Sequence, residues 1–114
     1  MPPNPGRIGD RATFCALRRS PRRVRRGPIT VTWVEGGPWL APRVAYAIGR
    51  KVGGAVERNR IRRRLRAIFA EAAPTLPLGS YQVGVGPRGR DLSFGELRAY
   101  VHQALEALGP EERR

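Results

Sequence analysis

The segment from Arg50 to Arg66, RKVGGAVERNRIRRRLR, places a double glycine directly before a stretch crowded with arginine. Apolar residues recur at spacings of three and four through residues 55–72, which predicts an amphipathic helix with one buried stripe. The stripe consists of Ile61, Leu65, Ile68, Phe69 and Ala72. Since each residue turns a helix by about 100°, both flanks of the stripe are cationic. One flank carries Asn59, Arg62, Arg63 and Arg66, and the other carries Arg60 and Arg64.

This distribution of charge is unfavourable for an isolated helix. Like charges four residues apart repel each other, and cations in the first turns oppose the helix dipole. The like-charge pairs are Arg58 with Arg62, Arg60 with Arg64, and Arg62 with Arg66. Asparagine is also a poor residue inside a helix unless its side chain has a partner. The segment therefore predicts a surface that gains stability from an anionic ligand.

Composition indicates one small basic domain. The chain has 114 residues, a formal net charge of +13 and a pI near 11.7, and Lys51 is the only lysine among its 22 basic residues. This imbalance predicts a polyanionic partner. The preference for arginine suits bidentate phosphate contacts, although genomic base composition produces the same preference. We expect a flexible tail over residues 1–7, one domain over 8–109 and a second tail over 110–114.

The first half of the chain predicts a helix and two strands. Asp10 caps a helix that runs to about Arg19 and ends at Ser20 and Pro21. Its Phe14 is either a core residue or an aromatic platform for an unstacked base. Residues 18–26, RRSPRRVRR, contain Pro21 and predict a basic loop that contacts nucleic acid. Alternation predicts strands over residues 29–34 and 43–48, with a turn over residues 35–38 and a weakly signalled strand around Trp39 and Leu40.

The second half continues the pattern. Pro74 ends the arginine helix, and residues 80–86 alternate as a further strand before a turn over residues 87–90. Ser93 and Glu96 form a capping box for a last helix, which Gly109 and Pro110 end. Its apolar residues are Phe94, Leu97, Val101, Ala104, Leu105 and Leu108. The predicted fold class is α+β, a two-layer sandwich with the order α-β-β-(β)-α-β-α.

Several function classes are excluded by what the sequence lacks. It has no apolar run long enough to span a membrane and no segment of signal-peptide type, which predicts a cytoplasmic protein without a membrane partner. One cysteine and one histidine form neither an internal disulfide nor a structural zinc site. The glycines before the arginine helix lack the spacing of nucleotide-binding loops, so we expect no small-molecule cofactor. The acids are scattered, which favours a binding module over a protein with its own active site.

The run from Lys51 to Arg63, KVGGAVERNRIRR, closely resembles the signature of the bacterial ribonuclease P protein component, whose hallmark is an Arg-Asn-Arg helix. The resemblance covers nearly the whole domain. It implies a sandwich of ribosomal-protein type with a left-handed βαβ crossover through the arginine helix. It also implies a protein subunit that joins a catalytic RNA and promotes endonucleolytic removal of the 5′ leader from precursor tRNA. Catalysis and most of the magnesium would then belong to the RNA, and no catalytic residue is expected in the protein.

The resemblance also implies two sets of RNA-binding residues. Residues at or beside the signature would contact the catalytic RNA: Arg50, Lys51, Arg58, Asn59, Arg60, Arg62, Arg63 and Arg66. Residues of the first helix, the basic segment and the open face of the sheet would form a cleft for the leader: Phe14, Arg18, Arg22, Arg23, Arg26, Arg43, Ala45 and Ala47. The small Ala45 and Ala47 would leave room there for a strand of RNA.

Three positions depart from the family pattern. Gly54 replaces an asparagine, which leaves no side-chain ligand there for a protein-bound magnesium. Arg18 replaces a second aromatic residue, which turns a stacking contact into a guanidinium contact. Gly49-Arg50-Lys51 replaces Ser-Lys-Lys, which keeps the charge and loses a hydroxyl. Two alternatives to a ribonuclease P subunit are a structural ribosomal or general RNA-binding protein without a processing role, and a protein-only nuclease.

Overall fold

A computed structural model describes residues 6–35 and 42–108. Within these ranges the chain forms three helices and five strands, in the order β-α-β-β-β-α-β-α. The helices are α1 (Arg11–Arg19), α2 (Ala55–Ala72) and α3 (Phe94–Leu108). The strands are β1 (Gly6–Arg7), β2 (Arg23–Arg26), β3 (Ile29–Val34), β4 (Arg43–Ile48) and β5 (Ser80–Val85). Short 3-10 turns follow β4 at Arg50–Val52, α2 at Ala73–Thr75 and β5 at Pro87–Asp91.

The strands form one mixed sheet in the order β1-β4-β5-β3-β2. β3 is antiparallel to both β2 and β5, whereas β4 runs parallel to β5 and to the two residues of β1. α2 connects β4 to β5, so two parallel neighbours are joined through the arginine helix as the resemblance implies. The handedness of this crossover stays a prediction.

The core lies between one face of the sheet and the helices α2 and α3. All five residues of the predicted α2 stripe are buried. Four of them, all but Ala72, pack in one core with alternating side chains of β3, β4 and β5 and with α3. The sheet contributes Ile29, Val31, Trp33, Val44, Ile48, Tyr81, Val83 and Val85. The capping box of α3 is confirmed, since the Glu96 backbone N–H donates to Ser93 Oγ at 3.1 Å and the Ser93 N–H donates to Glu96 Oε1 at 2.9 Å.

α1 lies across the opposite face of the sheet, near the start of β5. Its Leu17 is fully buried, and the helix contacts β3 and β5. The Arg43 Nη2 donates to Thr13 Oγ1 at 3.0 Å and pairs with Asp10 Oδ1 at 3.2 Å, which holds the helix to β4. At the far end of α1, Ser20 Oγ donates to the Trp33 carbonyl at 2.7 Å. α1 therefore covers one end of this face and leaves the rest open.

Three predictions are corrected. Residues 23–26 form strand β2 instead of a loop, because Pro21 lies before the strand and Val24 packs against the core opposite Val31. Gly6 and Arg7 pair with β4, so the predicted tail extends too far into the domain. Phe94 is 42% exposed and does not join the core. The predicted turn beyond Glu35, the strand at Trp39 and Leu40, the helix stop at 109–110 and both chain ends lie outside the described residues.

Asp10 makes the fold sensitive to acid. Its Oδ2 accepts hydrogen bonds from the hydroxyl and the backbone N–H of Thr13, which lower the pKa of Asp10 from 3.8 to about 2. Because the folded-state pKa lies below the unfolded one, this stabilisation is present above about pH 4 and is lost as the pH falls through 2. We expect the wild type to melt at a higher temperature than Asp10→Asn at pH 6, and the difference to shrink between pH 4 and pH 2. A difference that stays constant over that window would contradict the assignment.

Candidate nucleic-acid interface

The link between β4 and α2 is followed by one acid, Glu57, in the first turn of the arginine helix. Gly53 adopts φ +157°, and a Cβ there would lie 3.0 Å from Glu57 Cβ and 3.3 Å from Arg90 Cδ. The Glu57 carboxylate accepts a hydrogen bond from the Gly54 N–H at 2.8 Å, which satisfies one open donor of the helix end. Glu57 therefore caps α2, and the arginines that follow keep their charge for another partner.

The flanks of α2 have different surroundings. On the first flank, Arg62 Nη1 donates to Asn59 Oδ1 at 2.7 Å, which supplies the partner that asparagine needs inside a helix. On the second flank, Arg64 Nη1 reaches the Leu92 carbonyl at 3.4 Å. Arg60 and Arg63 are exposed, and neither has a hydrogen bond or ion pair within the described ranges. The cationic surface predicted from the sequence is thus accessible to a ligand.

A cavity of about 700 Å³ lies at the outer edge of β4, beyond the two residues that β1 covers. The half-buried Phe14 lines it from α1, Ala45 and Tyr46 from β4, and Arg62 and Arg66 from α2. Burial raises the pKa of Tyr46 to about 12, against the opposing effect of Arg66, so its phenol stays protonated at neutral pH. In this cavity the Phe14 ring is available for stacking, and the guanidinium groups of Arg62 and Arg66 are available for phosphate contacts.

The open face of the sheet continues from this cavity. Strand register aligns two rows across it, and small or uncharged side chains form the centre of each row. One row is Arg25, Thr30, Gly84 and Ala47, and the other is Arg23, Thr32, Gln82 and Ala45. The exposed Arg23 and Arg25 close both rows at the β2 edge. Thr32 is buried and accepts a hydrogen bond from Arg23 Nε at 3.1 Å, so the row through Ala47, Gly84 and Thr30 is the more open of the two.

The structure separates the predicted cleft residues into three groups. Phe14, Ala45, Ala47 and Arg23 lie on the open face or its cavity, as predicted, and Arg18 is exposed on α1. Arg22 and Arg26 lie on the other face, where the Arg22 guanidinium stacks 5.3 Å from the Trp33 ring centre and donates to the Leu108 carbonyl at the end of α3. Arg43 is occupied in holding α1. Arg22, Arg26 and Arg43 are therefore removed from the cleft, because intramolecular contacts or strand alternation direct them elsewhere.

Sequence reasoning missed Arg25 at the cleft, and it assigned Arg62 and Arg66 to the catalytic RNA alone. The alternation of Arg23 and Arg25 around the half-buried Val24 is the signal that would have identified Arg25, once residues 23–26 are taken as a strand. No sequence pattern predicts that Phe14, Arg62 and Arg66 line one cavity, because the cavity depends on how α1 and α2 are placed at the edge of β4. Arg62 and Arg66 therefore belong to the arginine helix and also line the cleft.

The described residues contain neither a cluster of metal ligands nor a helix that could span a membrane. Across residues 6–35 and 42–108, no three side chains among His, Cys, Asp and Glu lie close enough together to hold a metal ion. Gly54, where the family pattern has asparagine, adds no side-chain ligand. None of the helices in the described parts of the chain has the length and apolarity needed to cross a bilayer.

A mixed sheet with one open, cationic face beside an arginine-rich helix defines an RNA-binding protein of the α+β class. A family model described as Ribonuclease P matches residues 3–109. The chain therefore belongs to the ribonuclease P protein family, whose role is in the 5′ processing of tRNA.

Individual relatives agree with this assignment. The chain is 34% identical over 110 residues to the ribonuclease P protein component of Thermobifida fusca, covering 90% of this chain and 75% of the relative. It is 38% identical over 111 residues to that of Acidothermus cellulolyticus, covering 95% and 92%. A solved structure of the Staphylococcus aureus RNase P protein superposes with a TM-score of 0.81 at 19% identity, over 90% of this chain and 94% of that one, and shows the same fold.

Proposed function

We propose that this subunit of an endoribonuclease uses its two cationic surfaces for two different RNAs. The exposed flanks of α2 bind the catalytic RNA, and the open sheet face with its edge cavity binds the 5′ leader of precursor tRNA. The catalytic RNA carries out the cleavage and holds the magnesium ions, while the protein contributes binding and orientation. We propose that this reaction takes place in the cytoplasm.

The observation that carries the proposal is the edge cavity. Phe14 can stack on one base without selecting its identity, and Arg62 and Arg66 can hold the phosphates on either side. The row through Ala47, Gly84 and Thr30 gives an extended strand a path from this cavity towards Arg25. A leader that differs in sequence among precursors requires contacts of this kind.

Arg58 supports an anionic ligand on α2 independently. This side chain is half-buried, and its Nε is buried without a hydrogen-bond partner within the described residues. A buried guanidinium donor without an acceptor is costly, and a phosphate oxygen would satisfy it. This explains why a helix would retain so many mutually repelling charges.

The defining experiment is cleavage of a leader-bearing precursor tRNA at low magnesium. The cognate catalytic RNA is assayed with and without the protein, beside a protein-alone control. We expect stimulation that requires both partners. Tight RNA binding without stimulation would favour a general RNA-binding protein, and cleavage by the protein alone would indicate a protein active site.

Ala47→Glu tests the open face directly. Ala47 is exposed, so the change should alter the free energy of unfolding by no more than about 0.5 kcal/mol. A carboxylate facing the leader phosphates should weaken binding of the leader-bearing precursor to the holoenzyme by about tenfold, while binding of mature tRNA stays within about twofold.

The matched control is Gln103→Glu, which adds the same charge to the exposed surface of α3. Equilibrium binding of each holoenzyme to precursor and mature tRNA provides the comparison. Equal effects of the two substitutions would show that only net charge matters and that the open face does not bind the leader.

A further inference from the structure

A second cavity, of about 490 Å³, lies at the opposite end of the sheet from α1. It is formed by the β2–β3 turn at Gly27 and Pro28, by the turn Pro87–Asp91, and by Tyr100 of α3. The Gly86 N–H donates to the Pro28 carbonyl at 2.8 Å and joins the two turns. None of the residues assigned above to the catalytic RNA or to the leader cleft, apart from Arg25, contributes to it.

Three hydrogen-bond donors line this cavity. They are the guanidinium groups of Arg25 and Arg88 and the hydroxyl of Tyr100. Arg25 uses its Nε for the Gly27 carbonyl at 3.3 Å, and neither Arg88 nor the Tyr100 hydroxyl has a hydrogen-bond partner within the described residues. Asp91 also lines the cavity, but its carboxylate lies 3.9 Å from Arg90 and is 76% exposed. The cavity therefore has an excess of donors and a net positive charge.

The geometry of both turns is fixed by glycine. Gly27 adopts φ +55°, and a Cβ there would come within 2.7 Å of the Tyr100 ring, so the backbone lies directly against the ring. Gly89 is buried, and a Cβ there would come within 2.3 Å of Val85 Cγ1, so the turn rests on the end of β5 with Arg88 and Arg90 on either side. The backbone of the two turns beside Arg25 and Arg88 is thus fixed by close packing.

One turn that lines this cavity also contacts the arginine helix. The turn Pro87–Asp91 contacts both the turn Arg50–Val52 and α2, and the Arg90 side chain packs beside Gly53. The exposed flanks of α2 are the proposed site for the catalytic RNA. A strand of that RNA that follows α2 towards its N-terminus would therefore reach Arg88 and then Arg25.

We propose that this cavity binds a phosphodiester group of the catalytic RNA, held by Arg25 and Arg88 with the Tyr100 hydroxyl as a further donor. A volume of about 490 Å³ accommodates the phosphate together with its ribose. The proposal rests on the function proposed above and extends the RNA interface from α2 to β2, the turn Pro87–Asp91 and α3.

The test compares two double variants of the full chain in binding to the catalytic RNA. Arg25→Ala with Arg88→Ala removes both guanidinium groups from the cavity. Arg11→Ala with Arg19→Ala removes the same charge from exposed positions on α1. We expect the cavity variant to bind about 100-fold more weakly, because each lost hydrogen bond to a charged group is worth about tenfold or more in affinity. The control should stay within about twofold.

The salt dependence gives a second readout. Loss of two phosphate contacts should make the slope of log K against log salt shallower by about 1.4 to 1.8 in the cavity variant and leave it unchanged in the control. Circular dichroism and thermal unfolding establish that both variants are folded, and neither pair of side chains is buried.

Asp91 provides a test with the opposite sign. Asp91→Asn removes the carboxylate from the cavity and should strengthen binding by about threefold. Glu106→Gln removes the same charge from the exposed surface of α3 and should have little effect.

The outcomes separate this proposal from the function on which it rests. If the wild type binds the catalytic RNA and the two double variants behave alike, the cavity is not a phosphate site although the proposed function stands. If the wild type does not bind that RNA, both are overturned. If the cavity variant weakens binding only to precursors with a leader, the assignment to the catalytic RNA is wrong and the cavity belongs to the leader.

Discussion

Phe69→Ala should lower the free energy of unfolding by about 3–5 kcal/mol. Phe69 is 0% exposed and lies on the stripe of α2 that faces the sheet. Its ring meets Tyr46 edge to face, with ring centres 6.2 Å apart. The substitution removes this contact and leaves a cavity that the rigid sheet cannot fill by moving. Since the free energy of unfolding of a native protein is about 5–15 kcal/mol, this loss is a large fraction of the total stability.

Urea unfolding followed by circular dichroism measures the effect. Val56→Ala is the matched control, because it also shortens an apolar side chain on α2 but at a position that is 79% exposed. The control should change the free energy of unfolding by no more than about 0.5 kcal/mol. A loss below about 1 kcal/mol for Phe69→Ala would mean that packing on this stripe does not hold the arginine helix in place.

Arg60→Ala with Arg63→Ala should weaken binding of the catalytic RNA by about 100-fold or more. The two side chains lie three residues apart on the exposed surface of α2, away from the buried stripe. Each hydrogen bond to a charged group contributes about 1.5–3 kcal/mol, and 1.4 kcal/mol corresponds to a factor of ten in affinity. If about six phosphates are neutralised by the wild type, its slope of log K against log salt should be near −4 to −5, and the double variant should have a shallower one.

In the absence of RNA, the same double variant should be slightly more stable than the wild type. Removing Arg60 relieves its repulsion with Arg64, and alanine is the best helix former, so we expect a gain of a few tenths of a kcal/mol in the free energy of unfolding. The double variant Arg11→Ala with Arg19→Ala controls for the loss of two charges. Equal losses of RNA affinity in the two variants would show diffuse electrostatic attraction in place of a specific site on the helix.

The local patterns of the sequence predicted most of the elements correctly. The period of α2, the capping residue Asp10 and the Ser93–Glu96 capping box each depend on neighbours within a few residues, and the structure confirms all of them. Strand β2 was missed because its evidence is not local. Its arginines have no strong preference for a strand, and the pairing with β3 and the packing of Val24 stabilise it.

The arginines of the candidate cleft show the same limit. In the sequence, Arg22, Arg25, Arg26 and Arg43 are equivalent basic residues. In the folded protein Arg22 stacks on Trp33, Arg43 holds α1, and Arg25 lies between the open face and the second cavity. Which of them remains available to RNA depends on contacts between residues far apart in the chain.

The amino-acid sequence alone predicts a small basic α+β protein in which α2 buries one stripe and presents arginine elsewhere, and it carries the resemblance to the ribonuclease P protein family. These features follow from periodicity, charge and a contiguous motif, all of which are local. Two sites depend on how distant elements pack: Phe14, Arg62 and Arg66 line one cavity at the edge of β4, and Arg25, Arg88 and Tyr100 line the second cavity. Such sites form between elements, and their geometry is set by strand order and helix packing, which no single segment encodes.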